Sequence, residues 1–131
     1  MDEGSLRVTA LAQHGLVTRR QVLGLGGSDS LIQRRLASGQ WTRSRRGVVV
    51  VGASPSTWKQ DVMAACLAGG HGVVASERTA SRIWGLVPRS GRIQLTSASS
   101  RQVRLRGVDV RRTSILPPMD RTTVDGLPVT S

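Results

Sequence analysis

The sequence predicts a chain of α/β class, more closely α+β. Residues 1–52 read as three short helices and a β-hairpin, and residues 53–131 as a small mixed helix/strand domain. Three observations predict this. Gly15, Gly26-Gly27 and Gly39 cut the first forty residues into three short amphipathic segments. A basic stretch with a central Gly runs into the β-branched residues 48–51. Beyond residue 57, helical periodicity alternates with period-two segments. A length of 131 residues suits one domain, or two small ones sharing an interface.

The elements follow in order. Residues 5–14 place Leu6, Thr9, Ala10 and Gln13 on one helical arc, and Val8, Leu11 and Ala12 on another, with Gly15 as the stop. Leu16-Val17 reads as a short apolar connection. Thr18 and Gln21 form a capping box, with a hydroxyl for the amide three residues on and an amide side chain reaching back. It opens a short helix through Val22, Leu23 and Leu25, which Gly26-Gly27 ends. Ser28 caps a third helix, 29–38, which Gly39 closes. Two helices separated by a Gly turn have helix-turn-helix spacing. The run from Trp41 through Arg43, Arg45, Arg46 and Gly47 to Val51 then reads as a two-stranded wing, turning near residues 44–47. Residues 1–52 are therefore expected to be a winged helix-turn-helix, and 52–56, with Pro55, a linker.

In the second half, Thr57 and Gln60 suggest another capping box. Trp58, Val62, Ala65 and Cys66 fall at i, i+4, i+7 and i+8 of an amphipathic helix ended by Gly69-Gly70. Val73-Val74 suits a short strand. Ser76 is the expected cap of a helix carrying Ala80, Ile83 and Trp84, ended by Gly85 and Pro88. Residues 92–96 and 107–111 alternate as half-buried strands do. Asp125-Gly126 is a hairpin turn signal between 122–124 and 127–129, tempered by Pro128. Val129-Thr130-Ser131 reads as a strand entering a helix cap, as in a truncated chain or the short form of a longer protein.

Charge narrows the function. Nineteen basic residues against eight acidic ones give +11. Chains this basic commonly meet nucleic acid, because phosphate neutralisation releases counterions. Residues 1–52 carry net +5 and the remainder +6. No apolar run approaches the ~20 residues of a membrane span, and the acidic start is no secretory signal. The expected setting is cytoplasmic.

The single Cys66, in an apolar segment, reads as a buried thiol. His14 and His71 are isolated, without metal-ligand spacing. The Gly24–Gly27 run has no preceding strand and no following Gly-Lys-Ser/Thr, so it is no phosphate loop. Phosphodiester cleavage uses clustered carboxylates, often with a Lys. The one lysine, Lys59, lies beside Asp61 with no partner carboxylates, and Asp109, Asp120 and Asp125 are scattered. The expectation is no enzyme, no metal and no cofactor.

On a helical wheel of 29–38, Leu31, Ile32 and Leu36 share the core arc. Ser30, Gln33, Arg34 and Ala37 share the opposite one. Small polar groups beside a guanidinium suit a major-groove face, where Gln pairs with adenine and Arg with guanine. Arg34 is thus the candidate base reader. Arg35, nearer the apolar arc, is expected to lay its stem over the core edge and reach a phosphate. Arg19 and Arg20 sit at a helix N-terminus, whose dipole and free amides attract phosphate. Arg43, Arg45 and Arg46 belong to the wing, which follows backbone or minor groove. Seven arginines from 19 to 46 stand against Asp29 alone. Arg101, Arg104, Arg106, Arg111 and Arg112 either extend this footprint, meet an acidic protein, or line a plain surface strand.

The chain also resembles a known family. The runs His14-Gly-Leu-Val-Thr-Arg-Arg-Gln-Val-Leu23, Arg34-Arg-Leu-Ala-Ser-Gly-Gln-Trp41 and Arg46-Gly-Val48 are similar to the N-terminal domain of AbiEi-like antitoxins of type IV toxin–antitoxin systems. The likeness continues through Trp58, Ser76 to Leu86, and Val124 to Ser131, nearly the whole chain. It implies an autorepressor that binds its own promoter through a winged helix, and a second domain that counteracts a nucleotidyltransferase toxin. The family's DNA contacts carry over to Arg34, Arg35, Arg43, Arg45 and Arg46. Val49 stands where a Tyr is frequent, and Glu77 where a His is. Many relatives continue into a domain resembling very-short-patch-repair endonucleases, which is missing here. The expected function is a DNA-binding antitoxin-like repressor. Two alternatives are a module whose basic second half grips an acidic toxin, and the DNA-targeting part of an endonuclease-like protein.

Overall fold

The computed structural model describes residues 1–86, 91–98, 103–113 and 121–130. Pro88, Arg101, Asp120 and Ser131 lie outside the described residues. The chain is of α+β class, with elements α1 (Glu3–Ala12), β1 (Leu16–Thr18), α2 (Arg19–Gly24), α3 (Asp29–Ala37), β2 (Trp41–Arg45), β3 (Val48–Val51), α4 (Trp58–Gly69), β4 (Val73–Ala75), α5 (Glu77–Ile83), β5 (Ile93–Ser97), β6 (Val108–Arg112), β7 (Arg121–Val124) and β8 (Leu127–Thr130). Contacts divide it inside α4, into units 1–64 and 65–131. The expected domain boundary, 52/53, is the end of the β2–β3 hairpin.

In the first unit, α1 begins two residues earlier than expected. The Asp2 carboxylate accepts hydrogen bonds from Ser5 N at 3.0 Å and Ser5 Oγ at 2.7 Å, and so caps the helix. The first arc packs inward, with Leu6 and Ala10 buried, while Val8 and Leu11 face outward. His14 and Gly15 turn the chain in the left-handed region, at φ 59° and 85°. Only Gly fits at 15, because an added Cβ would lie 2.2 Å from Ser54 Oγ. Leu16-Val17, expected as a connection, is instead strand β1. It pairs antiparallel with β3 through Leu16–Val50, Val17–Val49 and Thr18–Val48. Three residues are too few to display a period, and the partner lies some thirty residues on. The sheet order is β1-β3-β2. Val17, Val22, Ile32, Trp41 and Val49 join Leu6 and Ala10 in one core, with Leu31, Leu36 and Leu25 against it.

The capping box on α2 has both of its bonds, Gln21 N to Thr18 Oγ1 at 3.1 Å and Thr18 N to Gln21 Oε1 at 2.9 Å. The box expected on α4 has only one, Gln60 N to Thr57 Oγ1 at 3.0 Å. The Gln60 side chain is buried and donates to the His14 carbonyl at 2.8 Å instead. This satisfies the acceptor at the turn after α1.

In the second unit, five strands run in the order β6-β5-β4-β8-β7. Pairs β4–β5 and β7–β8 are antiparallel; β5–β6 and β4–β8 are parallel. Asp125 and Gly126, at φ 51° and 79°, make the tight hairpin turn. Leu95, Val73, Ala75, Val108, Leu127 and Val129 are buried. Two expectations fail here. Ser76 precedes α5 but makes no side-chain cap; its Oγ accepts from Thr96 Oγ1 at 2.7 Å. The Gln94 side chain takes over, accepting from Arg78 N at 3.0 Å. Trp84 ends α5 half-exposed, not in the core, and its Nε1 donates to the Thr130 carbonyl at 3.2 Å.

Candidate nucleic-acid interface

Helix α3 is positioned by its own sequence. Ser28 Oγ accepts from Leu31 N at 3.1 Å and starts the helix. Ile32 is buried and Leu31 and Leu36 are half-buried, which turns the opposite side outward. Ser30, Gln33, Arg34 and Ala37 lie on that side, Ser30, Gln33 and Arg34 clear of the core. The turn before α3 is tight. Gly27 N donates to the Val22 carbonyl at 2.9 Å, and a Cβ on Gly27 would lie 2.6 Å from Val22 Cγ1.

The β2–β3 hairpin stands beside this helix. Trp41 pairs with Val51 and Arg43 with Val49, so Arg43 shares the sheet face of the buried Trp41. The register shifts between Arg43 and Arg45, where a bulge re-aims the strand. Gly47, at φ 74°, makes the turn with Arg46. The hairpin tip is tied down, since Arg19 N donates to the Gly47 carbonyl at 2.9 Å. A cleft of 390 Å³ opens between α3 and the hairpin, lined in part by Gln33, Leu36, Arg43 and Arg46, with Arg19 and Asp29 at α2 and α3.

The seven arginines divide into distinct groups. Arg20, Arg34, Arg43 and Arg46 are exposed and have no side-chain partner among the described residues. Arg45 is half-buried and engaged. Arg19 is exposed but paired, with Nε on Asp29 Oδ1 at 2.7 Å and Nη2 on Asp29 Oδ2 at 2.9 Å. Those hydrogen bonds hold the Asp29 carboxyl below the usual carboxylate range. Arg35 lays its stem over the core edge as expected, but its end does not reach outward. Its guanidinium sits 4.9 Å from the Trp41 ring centroid and pairs with Glu3 of α1, with Nη1 3.4 Å from Oε2. A carboxylate thirty-two residues away takes the place assigned to a phosphate.

The amides at the start of α2 are also less open than expected. Arg19 N is used by Gly47 and Gln21 N by Thr18. The helix-end attraction for phosphate is reduced accordingly. Sequence reasoning gave no role to Glu3 or Asp29. Their partners lie ten and more residues away, so no local pattern exposes them.

In the second unit, Arg104, Arg106, Arg111 and Arg112 are exposed. Arg111 pairs with Glu77 at 3.3 Å. Among the described residues no group of three His, Cys, Asp or Glu side chains could hold a metal ion. Burial pushes the Cys66 thiol up to about 12, which suits packing and not attack. Among the described residues no helix is long and apolar enough to cross a membrane. No family model matches the chain, and no curated protein matches it.

Proposed function

We propose that residues 1–52 act as a winged helix-turn-helix on double-stranded DNA. Helix α3 enters the major groove, and the β2–β3 hairpin follows the backbone as a wing. Gln33 and Arg34 read base edges, with Ser30 beside them. Arg20, Arg43 and Arg46 neutralise phosphates. The observation that carries the reading is one cleft lined by Gln33 of α3 and by Arg43 and Arg46, the two arginines unpaired among the described residues, with Ser30 and Arg34 exposed on the same helix. Exposed guanidinium groups beside a small polar helix face suit a polyanionic partner.

The finer reading is a cytoplasmic, non-enzymatic autorepressor, an AbiEi-like antitoxin acting on its own promoter. The second unit then meets a nucleotidyltransferase toxin. The resemblance in sequence supports this part.

The test is binding to the upstream promoter against scrambled duplex, across a salt series. Arg34→Ala is expected to lose about 1–3 kcal/mol of discrimination. Arg46→Ala is expected to weaken both duplexes and to lower the salt slope by about 0.9. Equal affinity of the wild type for promoter and scrambled DNA would remove the repressor reading and leave a phosphate-binding surface.

A further inference from the structure

Asp29 is the only acidic residue among the seven arginines between 19 and 46. Its carboxylate takes both arms of Arg19. The two side chains remain 57% and 62% exposed, so water screens the pair and it does little for stability. Ser28, not Asp29, supplies the side-chain cap of α3. The pair therefore has no large structural task, and a role for it is inferred on the basis of the DNA-binding function proposed for residues 1–52.

The position of the pair is more informative. Asp29 is the first residue of α3 and lines the same cleft as Gln33, Arg43 and Arg46. The N-terminal residues of a helix laid in the major groove are those that reach base edges. An ionised carboxylate is acceptor-only. It repels phosphate, guanine O6 and N7, and thymine O4. Adenine offers its amino group next to the repelling N7. Cytosine N4 offers a donor without that neighbour. The two bonds from Arg19 fix the plane of the carboxylate, while each oxygen keeps a further lone pair for a second donor.

We propose that Asp29, held in place by Arg19, is a specificity-determining residue that accepts from the N4 amino group of a cytosine in the major groove. The same pairing keeps Arg19 away from phosphate. Non-cognate DNA is disfavoured by a carboxylate without a donor, while every duplex meets one backbone cation fewer, so a smaller share of the binding is independent of sequence.

The experiment selects binding sites from a random duplex library with the wild-type chain, Asp29→Ala and Arg19→Gln. It also measures affinity for scrambled duplex over about 50–200 mM salt. The wild-type pool should hold one cytosine position that the Asp29→Ala pool loses, a change of roughly 5- to 150-fold in preference at that position. On scrambled duplex, Asp29→Ala should bind more tightly, with a salt slope steeper by about 0.9 as Arg19 is released. Arg19→Gln should weaken the cytosine preference and leave the slope unchanged. Far-UV circular dichroism checks that α3 persists in each variant. Identical pools with an unchanged slope would overturn the proposal and leave DNA binding intact. A wild type that binds neither promoter nor scrambled duplex would overturn the DNA reading itself, and this inference with it.

Discussion

Arg35→Ala tests whether Arg35, paired with Glu3 and stacked on Trp41, is structural or, as the sequence alone suggests, reaches a phosphate. The side chain is 19% exposed, and Glu3, its partner, 59%. An ion pair this open on one side is worth about 0.5 kcal/mol. The guanidinium over Trp41, at 4.9 Å, adds about 1 kcal/mol, between the exposed and desolvated limits for such contacts. Removing the stem uncovers the edge of a ring that is otherwise 2% exposed, for about another 1 kcal/mol, roughly one buried methylene. The sum is about 2–3 kcal/mol. With a urea slope of about 1 kcal/mol per molar for so small a unit, the midpoint falls by about 2–3 M. Urea titration followed by circular dichroism reads this directly. A double-mutant cycle with Glu3→Gln should return a coupling of about 0.5 kcal/mol. The salt slope of DNA binding should stay unchanged, because the guanidinium is already committed. A stability loss below about 0.5 kcal/mol, together with a slope lower by about 0.9, would refute this assignment and return Arg35 to a phosphate.

Other perturbations test the same geometry. Gly27→Ala drives a methyl to 2.6 Å from Val22 Cγ1 and 2.9 Å from the Val22 carbonyl, so the α2–α3 turn must open. A loss of about 1–3 kcal/mol is expected in a thermal melt, and an unchanged Tm would show that the turn is looser than described. The Asp2 and Glu3 carboxyls are held below their ordinary values of 3.8 and 4.5, first by hydrogen bonds from Ser5 and from Arg35 respectively. Groups depressed in the folded state contribute stability that is complete above their unfolded pKa and is lost as pH falls through the folded one. The urea midpoint should therefore be level near neutrality and decline below about pH 4.5, less steeply in an Asp2→Asn/Glu3→Gln variant. The Cys66 thiol, raised to about 12 by burial, should resist maleimide in the native chain at about pH 8 and label only when urea unfolds it; rapid native labelling would contradict its burial.

Local signals carried most of the first unit. Thr18, Gln21, Ser28 and Gly39 mark helix ends through bonds made within three or four residues, and those bonds are present, with Gly39 N on the Leu36 carbonyl at 3.2 Å and its φ at 79°. Asp125-Gly126 marks its turn for the same reason. What sequence could not display was non-local. β1 exists because β3 lies beside it, not because three residues favour a strand. Gln60 leaves a local capping bond for a carbonyl 46 residues earlier. Ser76 loses its cap to Thr96, and Gln94 supplies the replacement from another strand. The parallel pairings β5–β6 and β4–β8 likewise have no short-range signature. At the candidate interface, the helical wheel identified which side chains leave the core. It could not say which of them already had partners.

That last difference is measurable. Read as a string, residues 19–46 offer seven arginines, and at about 0.9 per phosphate they imply a salt slope near −6 from this segment. In the fold, Arg19 and Arg35 are bound to carboxylates and Arg45 is engaged within the chain. Arg34 stands on the face assigned to bases. On the proposed reading Arg20, Arg43 and Arg46 remain for the backbone, for a contribution of about −3. Single Gln substitutions at these three should each lower the measured slope by about 0.9, whereas Arg35→Gln should lower stability and leave the slope alone. A segment that neutralises part of its own charge gives up non-specific affinity. If the proposed reading holds, what it gains is that more of the remaining binding energy depends on base contacts, the property a protein needs to find one promoter among many phosphates. If all seven substitutions lowered the slope equally, the internal pairs would have to break on DNA, and the division between structural and DNA-facing arginines would fall.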